Sequence, residues 1–278
     1  MISGKARLAG VIGWPVGHSR SPRLHGWWLD HYRIDGAYVP LPVKRDHVAA
    51  VLRALGQAGF RGVNVTVPHK EAALKAVDEA TPIARRVGAV NTIFYDENGR
   101  MVGDNTDGFG FLENLRETRP DWRAEAGPAV VLGAGGAARA VCAALLDAGA
   151  PSIRLVNRTI GKADALSRDI GGTITPVPWA ERARALEGAA LLVNTTTLGM
   201  AGADPLDIDL ATLPTAALVT DIVYAPLETP LLKAAAARGN PVVDGIGMLL
   251  HQARPGFAGW FGVEPEVTVD LRAFVLSE

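Results

Sequence analysis

Short apolar runs alternate with segments of helical periodicity along the chain, and glycine or proline separates most of them. In the first third, this pattern predicts strands over residues 8–12, 37–43 and 62–67, each followed by a helix. A two-stranded hairpin is predicted over 90–95 and 100–102. Such alternation is typical of a parallel or mixed sheet covered by helices, that is, of an α/β fold.

Capping residues predict where several of these helices begin. Ser21 is expected to cap a helix that starts at Pro22, since serine is a good N-cap and proline suits the first helical turn. Asp46 is expected to cap the helix that precedes the third strand. Residues 78–88 are expected to form one further helix.

The later part of the chain repeats the alternation with shorter strands. A connecting helix over 107–118 leads to a strand over 129–132, a glycine turn, an alanine-rich helix and a strand over 153–156. About six strands are expected here, as in a doubly wound nucleotide-binding domain. Helices that start near Met248 and Val267 are expected to return to the first domain. The predicted domains are therefore 1–106, 107–244 and 245–278.

The glycine turn Gly133-Ala134-Gly135-Gly136 opens a helix directly after an apolar strand. The first turn of a helix has unpaired backbone N–H groups at the positive end of the helix dipole. A pyrophosphate fits such a site. The alternative is that these residues form only a tight turn, but the order of strand, turn, helix and strand favours a dinucleotide site.

The second strand of this unit ends in a basic segment instead of the acid that usually binds an NAD ribose. Asn157, Arg158 and Thr159 offer an amide, a guanidinium and a hydroxyl, and Lys162 follows one helical turn later. These groups suit a 2′-phosphate and favour NADP over NAD. The alternative is that Arg158 is an ordinary surface charge.

Composition narrows the choice of partners. The chain has 278 residues, a formal net charge of -1 and a pI of about 6.6. This charge gives no electrostatic attraction to nucleic acid or to an anionic membrane. The segment MISGKARLAG has no signal-peptide core, and Cys142 is the single cysteine, so we expect a cytoplasmic protein. Arg139 interrupts the apolar helix after the glycine turn, which argues against a membrane span. The histidines show no metal-ligand spacing, and no metal is expected.

Polar residues of the first half of the chain gather at strand ends and turns, and α/β proteins bind ligands outside the carboxyl ends of their strands. Each one alone also has a local explanation as a cap or a turn residue. Lys70 and Asp107 stand out, because oxidation of an alcohol requires a group that moves the hydroxyl proton. The residues that could converge on one cleft are Ser19, Ser21, Asn64, Thr66, Lys70, Asn91 and Asp107.

Eight segments occur in an order that resembles the shikimate dehydrogenase family. The resemblance covers nearly the whole chain, and it implies a substrate domain, a Rossmann domain and an NADP-dependent reduction of 3-dehydroshikimate to shikimate, a step of chorismate and aromatic amino-acid biosynthesis. The segments are GWPVGHSRSPRLH, NVTVPHK, GAVNT, GDNTDG, GAGGAAR, NRT, NTTTLGM and DGIGMLLHQA.

The resemblance also implies roles for individual residues. Lys70 and Asp107 would be the catalytic pair. Ser19 and Ser21 would bind the substrate carboxylate. The other substrate-binding residues would be Thr66, Asn91, Tyr224 and Gln252. The cofactor-binding residues would be Gly133, Ala134, Gly135, Gly136, Ala137, Asn157, Arg158, Thr159, Lys162, Ile222 and Gly245.

Three positions depart from the family pattern. His69 stands where phenylalanine is usual and could perturb Lys70 or face away from it. Gly26 stands where asparagine is usual. Lys162 replaces an arginine near the 2′-phosphate, so we expect the NADP preference to be retained in a weaker form.

Three other interpretations stay open. The chain could be a quinate/shikimate dehydrogenase of broader specificity that also uses NAD, although Ser19, Ser21 and Arg158 argue for shikimate and NADP. It could be a non-catalytic NADP-binding sensor, which would have no need of Lys70 and Asp107. A dehydrogenase of folate or amino-acid substrates is the most remote alternative. A monomer or a homodimer is expected.

Overall fold

The computed structural model describes residues 2–277, which fold into two compact units. Unit 1 contains the described residues up to Thr106 together with those from Leu250 onward, and unit 2 contains Asp107–Leu249. The predicted functional domains, which divide at 106/107 and 244/245, remain predictions. The compact units divide at 106/107 and at 249/250.

Unit 1 contains a mixed sheet of six strands. Strand β1 pairs in parallel with both β2 and β3, whereas β5 pairs antiparallel with β3 and β6. The strand order is β2-β1-β3-β5-β6-β4. The strands are β1 (Arg7–Gly13), β2 (Gly36–Pro42), β3 (Phe60–Val65), β4 (Glu79–Ala80), β5 (Thr92–Tyr95) and β6 (Met101–Asp104). The helices are α1 (Ser21–His31), α2 (Val48–Gln57), α3 (Lys70–Ala76) and α4 (Pro82–Val87).

Unit 2 contains a fully parallel sheet of six strands, as expected for a doubly wound domain. Each central strand is apolar and buried because helices cover both faces of the sheet. The strand order is β12-β11-β10-β7-β8-β9. The strands are β7 (Ala129–Leu132), β8 (Ile153–Asn157), β9 (Ile174–Pro178), β10 (Leu191–Asn194), β11 (Leu218–Asp221) and β12 (Val242–Val243). The helices are α5 (Asp107–Thr118), α6 (Gly136–Asp147), α7 (Ile160–Ile170) and α8 (Pro230–Ala237).

The last two helices are α9 (Ile246–Phe261) and α10 (Val269–Leu276). The later part of α9 belongs to unit 1, where Trp260 donates a 3.0 Å hydrogen bond to the carbonyl of Ile93. Helix α10 lies against α1, and Arg20 donates a 2.9 Å hydrogen bond to the carbonyl of Val275. The C-terminal helices therefore return to the first unit, as predicted.

Two predicted helix caps are wrong. Ser21 is already the first residue of α1, Arg20 is the residue before it, and no side chain of the described residues caps this helix. The Ser21 backbone N–H donates a 3.3 Å hydrogen bond to Oγ of Ser19. Asp46 lies inside a 3₁₀ turn over Arg45–His47, and it caps neither that turn nor α2.

The helix predicted over 78–88 is shorter than expected. Its first residues form β4, which pairs in parallel with β6. The helix starts only at Pro82, because the residue before a proline is held in an extended conformation. That residue, Thr81, caps the helix by accepting a 3.3 Å hydrogen bond from the backbone N–H of Ala84.

Within residues 2–277, no helix has the length and apolar character that a membrane crossing requires.

Candidate active site

Asn91 is the centre of a buried polar cluster in unit 1. It follows α4 and is 2% exposed. Its Oδ1 accepts hydrogen bonds from the Thr106 backbone N–H at 2.9 Å and from the Thr92 hydroxyl at 3.0 Å. Its Nδ2 lies 3.1 Å from Oγ1 of Thr106 and 3.4 Å from Oε1 of Gln252. The fold thus brings together Asn91 and Gln252, two predicted substrate residues that are distant in sequence.

Thr106 completes the attachment of Gln252. Its hydroxyl donates a 2.8 Å hydrogen bond to the backbone carbonyl of Gln252. Helix α9 is therefore fixed to the end of the chain segment that follows β6. Thr106 is 3% exposed, and sequence reasoning did not select it although it lies in the GDNTDG segment.

Ser19 and Ser21 lie together at the start of α1. The Ser21 backbone N–H donates a 3.3 Å hydrogen bond to Oγ of Ser19, and Ser21 is 7% exposed. Thr66 follows β3 and is half-buried, and its backbone N–H donates to the Ile12 carbonyl at 2.9 Å. These residues follow or adjoin the carboxyl ends of β1 and β3, the edge at which α/β proteins bind ligands.

Lys70 and Asp107 each occupy the first position of a helix. Lys70 begins α3 in unit 1 and is half-buried, and its carbonyl accepts a 3.0 Å hydrogen bond from the Val90 backbone N–H. Asp107 begins α5 in unit 2 and is 7% exposed. A carboxylate in the first turn of a helix interacts favourably with the helix dipole.

The structure accounts for two of the departures from the family pattern. His69 is 1% exposed, and its Nε2 lies 2.6 Å from the carbonyl oxygen of Val43. Its ring therefore hydrogen-bonds the Val43 carbonyl and lies in the core. A side-chain carbon added at Gly26 would have no heavy atom of the described residues within 4 Å, so space for a larger residue exists there.

The loop after β7 has the features of a pyrophosphate site. Gly133 has a φ of +103° and lies against Thr195, so only glycine fits there. Gly135 and Gly136 are exposed, and no described atom lies within 4 Å of the position that a side-chain carbon would take. Among residues 2–277, no side chain caps α6. The backbone N–H groups of its first turn are thus open to an anion, and the residues fit a dinucleotide phosphate.

The segment after β8 is basic and exposed. Asn157 ends the strand, and its Nδ2 donates a 2.8 Å hydrogen bond to the carbonyl of Thr159. Arg158 and Lys162 are exposed, and neither forms an ion pair with another residue in the range 2–277. Their charges are therefore available for a phosphate.

Ile222 and Gly245 come together at the carboxyl edge of the parallel sheet. A side-chain carbon on Gly245 would lie 2.5 Å from the carbonyl group of Ile222, so glycine permits this close approach. The Ile222 backbone N–H donates a 3.1 Å hydrogen bond to the carbonyl of Asn194. Tyr224 is two residues further on and is half-buried. Ile222 and Tyr224 thus lie in the loop after β11, and Gly245 lies in the loop after β12.

Sequence reasoning missed the buried residues behind these positions. His25 and Tyr38 stack on each other in unit 1, with ring centroids 3.9 Å apart. Asn194 and Asp221 form a hydrogen-bonded pair in unit 2. A signal existed for His25, which lies four residues after Ser21 and so on the same face of α1.

Two family models match parts of this chain. A family model described as the shikimate dehydrogenase substrate binding domain matches residues 11–93, and one described as shikimate / quinate 5-dehydrogenase matches residues 119–199. A protein from Rhodospirillum rubrum named shikimate dehydrogenase (NADP(+)) is 65% identical over 283 residues, which cover 100% of both chains.

Two solved structures resemble the fold over nearly its full length. Shikimate 5-dehydrogenase from Thermus thermophilus, in complex with NADP(H) and shikimate, is 38% identical with a TM-score of 0.85, covering 97% of each chain. Quinate dehydrogenase from Corynebacterium glutamicum, in complex with NAD, is 32% identical with a TM-score of 0.91, covering 98% of this chain and 99% of that one. The chain therefore belongs to the shikimate dehydrogenase family.

Proposed function

We propose that this protein catalyses the reversible, NADP-dependent reduction of 3-dehydroshikimate to shikimate, a step of chorismate and aromatic amino-acid biosynthesis. The observation that carries this conclusion is the 65% identity, over the full length of both chains, with a shikimate dehydrogenase (NADP(+)). The protein is an NADP-dependent oxidoreductase.

Ser19 and Ser21 bind the substrate carboxylate in this proposal, and Thr66, Asn91 and Gln252 bind its hydroxyl groups and their surroundings. The hydrogen bonds that join Asn91, Thr106 and Gln252 support these assignments, because a binding site requires side chains held in fixed orientations. Tyr224 is the remaining substrate-binding residue.

The cofactor lies on the loop from Gly133 to Ala137, where the open first turn of α6 holds its pyrophosphate. Asn157, Arg158, Thr159 and Lys162 hold the adenosine phosphate, and Ile222 and Gly245 adjoin the nicotinamide. When bound, NADPH supplies the hydride that reduces the ketone carbon.

Lys70 supplies a proton to the ketone oxygen, and Asp107 orients Lys70 and the substrate hydroxyl. A lysine suits this task because it carries a mobile proton on a flexible side chain. The only thiol takes no part, since burial raises the pKa of Cys142 to about 12.

The test is the change in absorbance of the reduced nicotinamide with purified protein. Shikimate and quinate are each supplied with NADP and with NAD. Turnover mainly of shikimate with NADP is expected. Comparable rates with quinate or NAD would assign the protein to the broad-specificity branch, and no turnover in any of the four mixtures would leave only cofactor binding.

A cytoplasmic location is part of the same proposal, because the single cysteine forms no internal disulfide. A monomer or a homodimer is proposed as the active form. Size-exclusion chromatography with light scattering tests the oligomeric state.

A further inference from the structure

Asn114 is a polar residue on the buried face of α5. It is 3% exposed, and it lies seven residues after Asp107, so two helical turns separate the two residues on one face. Asparagine is a weak helix former, and a buried amide requires hydrogen-bond partners. The contacts of Asn114, rather than its helix propensity, therefore explain its place in α5.

The Asn114 amide contacts both ends of the segment 244–247, which joins β12 to the start of α9. Its Nδ2 donates a 2.7 Å hydrogen bond to the backbone carbonyl of Asp244. A side-chain carbon added at Gly247 would overlap Oδ1 and Cγ of Asn114, so glycine permits this close approach. One side chain of α5 thus holds a segment that is 130 residues away in sequence.

The opposite side of the segment 244–247 lies against the end of β11. A side-chain carbon on Gly245 would lie 2.5 Å from the carbonyl group of Ile222 and 2.7 Å from the carbonyl oxygen of Asp221. Within the segment, Oδ1 of Asp244 accepts a 3.2 Å hydrogen bond from the Ile246 backbone N–H. The segment is therefore enclosed between β11 and Asn114, and Asn114 sets its position on the α5 side.

Helix α5 is itself packed closely on α6, the helix that the glycine turn opens. A side-chain carbon on Gly108 would lie 2.9 Å from the carbonyl oxygen of Ala140 and 2.9 Å from Cβ of Ala144. One helix thus begins with Asp107, contacts the helix of the pyrophosphate site and holds the segment that carries Gly245. A change at Asn114 would move Gly245 relative to the other two.

We propose that Asn114 is a positioning residue for hydride transfer, which acts through the segment 244–247 on the nicotinamide end of the cofactor. This inference rests on the proposed place of Gly245 beside the nicotinamide. Asn114 contacts neither the cofactor nor the substrate in this arrangement. It fixes the backbone against which the nicotinamide lies, and the rate of hydride transfer depends steeply on the position of the reacting atoms.

The test is Asn114→Ala in the full-length enzyme, which removes the amide and keeps Cβ. The kcat for shikimate oxidation is expected to fall about 10- to 100-fold, since a displacement of about 1 Å at the reacting centre costs up to about 100-fold in rate. The KM for shikimate is expected to stay within about twofold, because most residues proposed to bind shikimate lie in unit 1. An unchanged kcat would overturn the proposal.

Calorimetric titration separates the two ends of the cofactor. NADP is expected to bind Asn114→Ala about tenfold more weakly, the effect of about one lost hydrogen bond on affinity. Adenosine 2′,5′-bisphosphate, which lacks the nicotinamide, is expected to bind with unchanged affinity. An equal loss for both ligands would overturn the proposal, because the whole cofactor site would then be disturbed.

Asn240→Ala is the matched control. Asn240 is 5% exposed in the same unit, and its Nδ2 donates to the carbonyls of Pro214 at 2.8 Å and Ala217 at 3.0 Å. It precedes β12, at the end of that strand opposite to Asp244. Its Tm is expected to fall while its kcat and its NADP affinity stay unchanged. An equal fall in kcat in both variants would overturn the proposal, since the effect would then be one of general stability.

Asn114→Asp tests the hydrogen bond without a loss of volume. Aspartate has the shape of asparagine, but its ionised side chain has no donor for the Asp244 carbonyl. At pH 8 its kcat is expected to fall as in Asn114→Ala. A kcat equal to that of the wild type would overturn the proposal.

Gly247→Ala tests the same contact from the other side. The added methyl group would overlap the Asn114 amide, so kcat is expected to fall. In the Asn114→Ala background only Cβ of residue 114 remains, at 3.2 Å, and Gly247→Ala is expected to have little further effect. Additive effects would overturn the proposal. These failures leave shikimate turnover by the unmodified enzyme intact, whereas loss of that turnover would refute the proposed function and this inference with it.

Discussion

Asn194 donates a hydrogen bond of 3.0 Å to the carboxylate of Asp221, and both side chains are fully buried at the carboxyl edge of the parallel sheet. The same carboxylate accepts the backbone N–H of Val223 at 3.0 Å and the hydroxyl of Thr229 at 2.8 Å. Burial raises the pKa of Asp221, and the three donors oppose this effect. The loop that carries Ile222 and Tyr224 is therefore anchored to the sheet by one acidic side chain.

Asp221→Ala is expected to destabilise unit 2 by about 3 kcal/mol, because it leaves several buried donors without an acceptor. Urea unfolding, followed by circular dichroism, measures the loss. Asp169→Ala is the control, since Asp169 pairs with Arg139 on the surface at 3.0 Å and is expected to contribute less than about 1 kcal/mol. Equal losses in the two variants would contradict the anchoring role of Asp221.

The stability of unit 1 is expected to fall in acid because of His25. Burial lowers the pKa of His25 from 6.5 to about 3, and the nearby Asn64 side chain offsets part of this effect. The unfolded chain binds a proton below pH 6.5 that the folded protein accepts only near pH 3. Stability is thus complete above pH 6.5 and is lost as the pH falls toward 3, by up to about 5 kcal/mol at about 1.4 kcal/mol per pH unit.

His25→Phe checks this prediction. Both ring nitrogens of His25 lack a hydrogen-bond partner among residues 2–277, so an apolar ring can replace it without breaking such a bond. The free energy of unfolding is measured in urea between pH 4 and 8 by tryptophan fluorescence, to which Trp28 and Trp260 beside His25 contribute. The difference between variant and wild type should change across this range, and a constant difference would exclude His25 as the cause.

The glycine-turn region was predictable from sequence because its signals are local. The strand over Ala129–Leu132 agrees with the prediction, and the next strand differs from it by one residue. Apolar runs and glycines act over a few residues, so no distant partner is needed to interpret them. The connecting helix Asp107–Thr118 also has the predicted bounds.

The buried polar contacts of unit 1 were not predictable, because they join residues that are distant in sequence. Tyr38 and Asn64 are 26 residues apart, and only the pairing of β2, β1 and β3 brings them together. Local sequence predicts Ser21 as a helix cap, yet Ser21 is the first residue inside α1, and no side chain of residues 2–277 caps that helix. Where the role of a residue depends on strand register, that role cannot be inferred until the order of the strands in the sheet is known.

Arg158→Ala is expected to raise the KM for NADP about 10- to 100-fold and to leave the KM for NAD nearly unchanged. The reason is that a charge-assisted bond to the 2′-phosphate is lost, which NAD does not have. Arg168→Ala is the control, because Arg168 is equally exposed but lies in the last turn of α7, away from Thr159. A parallel rise for both cofactors would reject the phosphate assignment.

Gly135→Ala is expected to weaken NADP binding without a change in Tm. Gly135 has a φ of −90°, which alanine adopts freely, and no described atom lies near the added methyl group. Only a bound pyrophosphate would meet that methyl group. Gly133→Ala should instead lower the Tm, since its φ of +103° is strained for alanine and Thr195 lies in contact. Calorimetric titration with NADP and thermal melts separate the two effects, and normal NADP affinity in Gly135→Ala would contradict the assignment.

Lys70→Ala is expected to lower kcat about 10²- to 10⁴-fold, because it removes the group proposed to give a proton to the ketone oxygen. Calorimetric affinity for NADP should be retained. Lys75→Ala, at the exposed end of the same helix, is the control and should keep full activity. Unchanged turnover in Lys70→Ala would exclude Lys70 from catalysis.

Lys70→Arg then separates proton transfer from charge stabilisation. Arginine keeps the positive charge but does not give up a proton near neutral pH. A rate as low as that of Lys70→Ala would identify Lys70 as the proton donor. A rate close to that of the wild type would show that the positive charge at this position, rather than its proton, stabilises the transition state.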